Sequence, residues 1–459
     1  MAGVRSLKGK NLTQGPIFRT LIIFAIPTLF SNILQSLNGS INTIWVGRFL
    51  GENALAATAN ANIIMFLLFS LVFGFGMAAT VMVGQSFGRR EIKNARHAFG
   101  AALGLCLCIS IIVALGGALL CGQILRALDT PREAFADAYA YLRVIFIGMP
   151  PTLLMIMTTM GLRGAGDSLT PLWFGCVGAA LDALLNPFFI IGIGPFPELG
   201  IAGSAYATAF SSYVTLLALI VYIYCRDLPL RLRGKELWYL FPRLDLTLKV
   251  LGKGLPMSLQ MVVTATASLV MISLVNHEGV NITAAYNVSQ QLWTYLQLPA
   301  MAVGAAVSAM VAQNIGAGKW RRVGATTKAG LFITEILIII LLAVLFIFDR
   351  DVMTLFLGQG SPAIDVGRHI QLLASWNFLF FGGTLILFAT LRANGVVVLP
   401  LVFLFIALYP IRLGFYHFAY PFIGADAIWL SFPVGAFTSL LMAALYYRSG
   451  YWRRKSLIN

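Results

Sequence analysis

The sequence predicts an all-α membrane protein: twelve transmembrane helices in two pseudo-symmetric six-helix lobes related as a parallel repeat. Three observations predict it: apolar runs of membrane-spanning length, a scarcity of charge, and an internal duplication. Of 459 residues, 59% are hydrophobic and 11% charged, with a mean hydropathy of +0.85. Soluble domains carry about 25% charged residues, so this composition cannot furnish a water-facing surface. Crossing about 30 Å of hydrocarbon takes roughly 20 mostly apolar residues. Such stretches lie near 17–37, 54–84, 98–124, 136–160, 169–193 and 202–225. They return near 248–275, 282–314, 324–348, 366–391, 396–418 and 424–447. The expected division is an N-terminal lobe over 1–225, a linker over 226–247 and a C-terminal lobe over 248–459.

The net charge of +15 is sorted by side of the membrane. With the first loop outside and sides alternating, 25 of the 32 Lys and Arg fall inside, including Arg89, Arg90, Lys93 and Arg96. Such a bias orients basic loops, and here both termini, to the cytoplasm. The charge is then a topology signal, and nucleic acid is not an expected partner. The N-terminus reads as a retained span: Pro27, Asn32, Gln35 and Asn38 interrupt it, and no small-residue cleavage pattern follows. Five scattered cysteines and four dispersed histidines show no disulfide-framework or metal spacing, so no cofactor is expected.

The duplication has an offset of about 228 residues. Gly76-Met-Ala-Ala-Thr-Val-Met-Val-Gly-Gln85-Ser-Phe-Gly88 lines up with Gly304-Ala-Ala-Val-Ser-Ala-Met-Val-Ala-Gln313-Asn-Ile-Gly316, each followed by a basic loop. Leu162-Arg163 and Pro171 match Leu391-Arg392 and Pro400, and Pro27 matches Pro256. Six spans per half give both copies one orientation, a layout found among transporters. The linker sets Arg and Lys beside Leu237, Trp238, Tyr239 and Leu240, which suits the cytoplasmic headgroup level.

The first span, Leu12-Thr-Gln-Gly15-Pro16 through Pro27 and on to Asn38, Asn42 and Gly47, resembles the multidrug and toxic compound extrusion (MATE) family, in its DinF-like prokaryotic branch. Gly84-Gln85-Ser-Phe-Gly88, Leu162-Arg163-Gly164-Ala165-Gly166-Asp167 and Asn186-Pro187 resemble further family hallmarks. The resemblance implies two six-helix lobes forming a V in a bacterial cytoplasmic membrane. It also implies export of lipophilic, often cationic, organic compounds in exchange for H⁺ or Na⁺. Small organic substrates and membrane lipids are the expected partners, and a monomer the expected state.

An ionisable group at membrane depth costs several kcal/mol unless it meets a partner or a wet cavity, and so marks a functional site by default. Asp182 is the clearest case. Asn186 lies four residues on, on the same helical face, and Pro187 removes a backbone donor and frees a carbonyl. These oxygens suit a hard cation, and a proton would also serve because burial favours a neutral carboxyl. The plainer alternative is an interhelical hydrogen bond. The resemblance implies an aspartate at the position of Asn42 and an Asn-x-x-x-Asp pair in the fifth helix. This chain instead has Asn42, with Asp182 one turn early, leaving one carboxylate among amides. Asn38 and Thr208 are further candidate ligands, with interhelical bonding the alternative for the amides.

The second half lacks the acids that other branches place in helices seven and ten. Glu335 reads as a packing or pairing residue, and Arg412 as a pairing or snorkelling one. Gln260, Tyr286, Asn287, Gln290, Trp293, Tyr295 and Trp376 form a candidate substrate surface, since aromatic faces attract lipophilic cations and amides hydrogen-bond neutrally. Interfacial belts are the alternative for each aromatic. Pro27 is expected to bend the helix that carries Asn42, linking ion occupancy to gating. A flippase of lipid-linked precursors or a metabolite exporter is the related alternative. An intramembrane enzyme would need convergent His, Asp, Ser or Cys, and a channel a recurring ring or filter, neither of which the sequence shows.

Overall fold

The computed structural model describes residues 11–50, 52–127, 132–194, 197–241 and 243–454. The first half comprises α1 (Ile17–Leu50), α2 (Glu52–Gly88), α3 (Ile92–Ala127), α4 (Arg132–Gly164), α5 (Leu169–Ile191) and α6 (Ile201–Cys225). A 3₁₀ turn, Gly234–Leu240, precedes α7 (Leu244–Asn276), α8 (Val280–Gly316), α9 (Trp320–Ile347) and the short α10 (Asp349–Leu357). Then follow α11 (Ala363–Ala374), α12 (Asn377–Ala393), α13 (Val398–Ile406), α14 (Arg412–Ile423) and α15 (Asp426–Ser449). The described residues contain no strand.

By length and apolarity, α13 and α14 form one continuous span, and eleven such spans are present among the described residues. A twelfth is broken: α11 and α12 meet at 44° across Ser375–Trp376. The backbone stays bonded through the break, the Ser375 N–H donating to the Gln371 carbonyl (3.1 Å), Phe378 N–H to the Ser375 carbonyl (3.1 Å) and Leu379 N–H to the Trp376 carbonyl (3.2 Å), because hydrocarbon offers no replacement donors. Trp293 Nε1 donates to Gln371 Oε1 at 2.9 Å and Ser375 Oγ at 3.1 Å, and the Ser375 hydroxyl donates to Gln371 Oε1. Between α13 and α14, Pro410 lacks an N–H and the backbone widens into a π-turn over Ala407–Ile411. The duplication is visible in α2 and α8, both 37 residues long at an offset of 228.

The chain divides into two compact units whose boundaries lie inside helices. Among the described residues, unit 1 takes in residues 30–258 and unit 2 residues 12–29 and 259–454, rather than a division at 225 and 248. Each boundary follows a proline of the repeat, Pro27 or Pro256, at which the helical hydrogen-bond ladder lacks a donor. Helix α1 nevertheless runs through Pro27 without interruption.

In unit 1, α4 is central, packed by α2, α3 and α6. Its core includes Phe75, Met82, Leu142, Phe146, Met149, Leu153 and Met157. Thr80 Oγ1 on α2 donates to the Met160 carbonyl of α4 at 2.8 Å, the kind of bond that joins helices where no hydrophobic drive separates protein from lipid. The linker, expected as a headgroup-level segment, is docked against α3. Arg96 donates to the Pro229 carbonyl (2.8 Å) and pairs with Glu236 (3.1 Å). Trp238 and Phe241 remain exposed beside it. At the exposed Asp227, a hydrogen bond from Arg233 holds the carboxyl below its ordinary pKa. In unit 2, α12 packs on α8, α9 and α15. The stretch before α1 is clamped there: the Leu12 N–H donates to Gln313 Oε1 (3.1 Å), Asn314 Nδ2 to the Leu12 carbonyl (3.3 Å) and Lys319 Nζ to the Thr13 carbonyl (2.8 Å).

The linker's close approach depends on Gly104, where an added Cβ would lie 1.8 Å from the Leu240 carbonyl oxygen. Gly104→Leu should therefore lift the 3₁₀ turn off α3 and destabilise unit 1 by about 1–3 kcal/mol. Detergent melting curves and faster tryptic cleavage near Lys235 would report it. An unchanged melt and unchanged cleavage would contradict this packing.

Candidate functional site

Asp182 is buried in unit 1, and three helices bring polar side chains to it. The four-residue spacing on α5 puts Asn186 directly below, α1 supplies Asn38 and Asn42 at the same spacing, and α6 supplies Thr208. Asp182 Oδ2 accepts from Asn38 Nδ2 and Asn42 Nδ2, both at 2.9 Å. Oδ1 accepts from Thr208 Oγ1 at 3.0 Å and Asn186 Nδ2 at 3.1 Å. An ionised carboxylate offers about four lone-pair sites, and four neutral donors fill them. No Lys, Arg or His pairs with it among the described residues.

The amides are linked to each other as well. Asn186 Nδ2 also reaches Asn42 Oδ1 at 3.0 Å and the Asp182 carbonyl at 2.9 Å. Two amide oxygens, Asn38 Oδ1 and Asn186 Oδ1, are buried without a hydrogen-bond partner. Buried acceptors are ordinarily satisfied, so two orphans beside one uncompensated carboxylate form a set of oxygens with spare capacity for a cation. Thr208 also lines a cavity of about 10 Å³ with Thr152, Gly148 and Met149, room for about one water. The five residues expected at the ion site thus come together around one carboxylate. Tyr141 of α4 lies near enough to Asp182 to feel its charge. Sequence reading missed it, because no spacing rule links α4 to α5.

The expected substrate residues fall differently. Tyr286 and Trp293 are core residues of unit 2, 1% and 5% exposed, packed with Phe378, Trp429 and Phe432. Helical spacing cannot separate an inward face that meets protein from one that meets a cavity, and here the aromatic face meets α11, α12 and α15. Gln290 is half-buried and hydrogen-bonds the Tyr286 hydroxyl, while buried Gln260 donates to the Val397 carbonyl at 3.1 Å. Asn287, Tyr295 and Trp376 are exposed, the Trp376 ring lying against Phe346. Glu335 on α9 faces Gly382 and Gly383 of α12.

The MatE family model matches the chain twice, over 27–188 and 256–416. The chain belongs to the MatE family. Both matches begin at a proline, Pro27 and Pro256, so the duplication read from the sequence is the family's own repeat unit. A probable multidrug resistance protein, YoeA of Bacillus subtilis, is 32% identical over 96% of this chain and 95% of its own length. A FAD transporter of Shewanella oneidensis is 25% identical over 68% of each chain. A crystal structure of MATE in the bent conformation superposes with a TM-score of 0.89 at 20% identity, covering 97% of this chain and 98% of that one. This MatE chain is accordingly a multi-pass membrane transporter of the multidrug efflux family and not an enzyme.

Within the cage, Asn42 both donates to Asp182 and accepts from Asn186, whereas Thr208 gives Asp182 one bond. Leaving a buried polar group unpaired costs about 1–3 kcal/mol. Asn42→Leu should therefore lower stability more than Thr208→Val, as read by thermal unfolding in detergent. The reverse order would show that the amides are not acting as a linked set.

Proposed function

We propose that this chain is a cation-coupled antiporter that exports organic compounds by alternating access, with H⁺ or Na⁺ taken up at Asp182. The observation that carries the reading is the lone carboxylate, surrounded by neutral donors and two unpartnered amide oxygens. Neutral donors stabilise the ionised form without cancelling its charge, so the site keeps its attraction for a cation. Rotating the Asn38 amide would turn its free oxygen toward Asp182. That oxygen is then an acceptor for a protonated carboxyl or a ligand for Na⁺. The Thr208 hydroxyl can reverse in the same way. One cage thus accommodates either ion, and Asn38, Asn42, Asn186 and Thr208 are the ligands assigned to it.

Pro27 lies on the helix that carries two of these ligands, which supports a gating role for it. The basic loops support a cytoplasmic-membrane protein with both termini inside. The Shewanella relative named as a FAD transporter favours a second reading, an exporter of an endogenous metabolite, through the same coupling site.

The test is efflux from proteoliposomes under an imposed pH or Na⁺ gradient, with cationic, neutral and anionic dyes. Wild type should be driven by at least one gradient, and Asp182→Asn should lower that driven rate at least about tenfold, since it removes a charge otherwise open to the ion. Failure of both gradients to drive any dye would remove the antiport reading. Full coupled efflux by Asp182→Asn would remove Asp182 from it.

A further inference from the structure

Arg412 sits near the middle of the Val398–Ile423 span, directly after the π-turn. It is 7% exposed. No hydrogen bond or ion pair reaches its guanidinium from the described residues, and its Nε is enclosed without a partner. Unit 2 has six acidic residues, and those with ion-pair or hydrogen-bond partners find them elsewhere. Glu278 accepts from Tyr420, Asp426 pairs with His369, and Asp349 pairs with Arg368. Glu335 faces the glycines of α12. The guanidinium instead lies over the Phe432 ring, 4.3 Å from its centroid, in the aromatic core shared with Tyr286. Room is left for it: a Cβ on Gly435 would stand 3.5 Å from Arg412 Nε and 3.0 Å from the Ala407 carbonyl oxygen.

A buried arginine without a counter-charge is costly, and a ring face compensates only part of that cost. An arginine placed only to snorkel would reach the membrane surface; this one stays in the middle of its span. It also occupies the ring face that a cationic substrate would need, and its charge repels such a substrate.

We propose that Arg412 is an anion-recognition residue of unit 2, pairing with the carboxylate or phosphate of a transported organic compound. This rests on the transporter reading above and names its substrate class: organic anions. A planar guanidinium engages such groups with two parallel hydrogen bonds, which an ammonium cannot reproduce.

The experiment is equilibrium binding by fluorescence anisotropy, with the full-length chain in nanodiscs of neutral lipid. Carboxyfluorescein is the anionic probe and ethidium the cationic one. Carboxyfluorescein should bind wild type, weaken about tenfold or more in Arg412→Gln, and weaken less in Arg412→Lys, which keeps the charge and guards against misfolding. Ethidium affinity should not fall in either variant. The proposal is overturned if wild type binds ethidium but not carboxyfluorescein, or if the Lys variant loses both probes equally while melting as wild type does. Binding is read without any gradient, so failure of gradient-driven efflux counts against the antiport reading alone.

Discussion

A carboxylate inside a membrane must be satisfied from within the protein, and the arrangement of unit 1 around Asp182 follows from that requirement. Bulk water does not reach this depth of hydrocarbon, so the lone pairs are met by donors of the protein itself. The donors come from α1, α5 and α6, which ties three spans to one pair of oxygens. Because all four donors are neutral, the cage lowers the cost of the charge yet leaves its field intact. A Lys or Arg in the same place would have stabilised the fold as well and closed the site to cations.

Unit 2 solves a similar problem with the opposite sign and less completely. Its mid-span charge is a guanidinium whose visible compensation is a ring face. The two units descend from one repeat, as the paired family matches indicate, but their polar interiors have diverged. One holds an anion among donors and the other a cation among aromatics. The expected aromatic surface for lipophilic cations is, in its main members Tyr286 and Trp293, a packed core.

Much of this was legible in the sequence because the membrane makes the code simple. Hydropathy placed the spans, and the repeat placed the halves. The four-residue step from Asp182 to Asn186 placed two site residues on one face. Asn38, Asn42 and Thr208 required the family resemblance, since nothing local says that α1 and α6 meet α5. Tyr141 escaped for that same reason. Periodicity reports which side of a helix is apolar but not what covers it, so Tyr286 and Trp293 were expected at a surface. The 44° break at Ser375–Trp376 has no proline or glycine to announce it, and the side chains that tie it down, Gln371 and Ser375, bond to Trp293, which is distant in sequence. The position of Arg412 was visible, but its lack of a counter-charge depends on where every acid in unit 2 points.

The unit boundaries inside α1 and α7 have a consequence for how the chain is made. Residues 12–29 are made well before residues 259–454, with which they share a unit, and that unit is finished only when the later residues have been inserted. The Leu12 N–H waits for Gln313, 301 residues later. During synthesis the opening segment is therefore a polar-ended apolar strand of chain without its final neighbours, the situation in which long-range contacts slow assembly and expose intermediates. A gene split at the linker would yield two polypeptides, neither containing a whole unit, so function could return only by their reassociation.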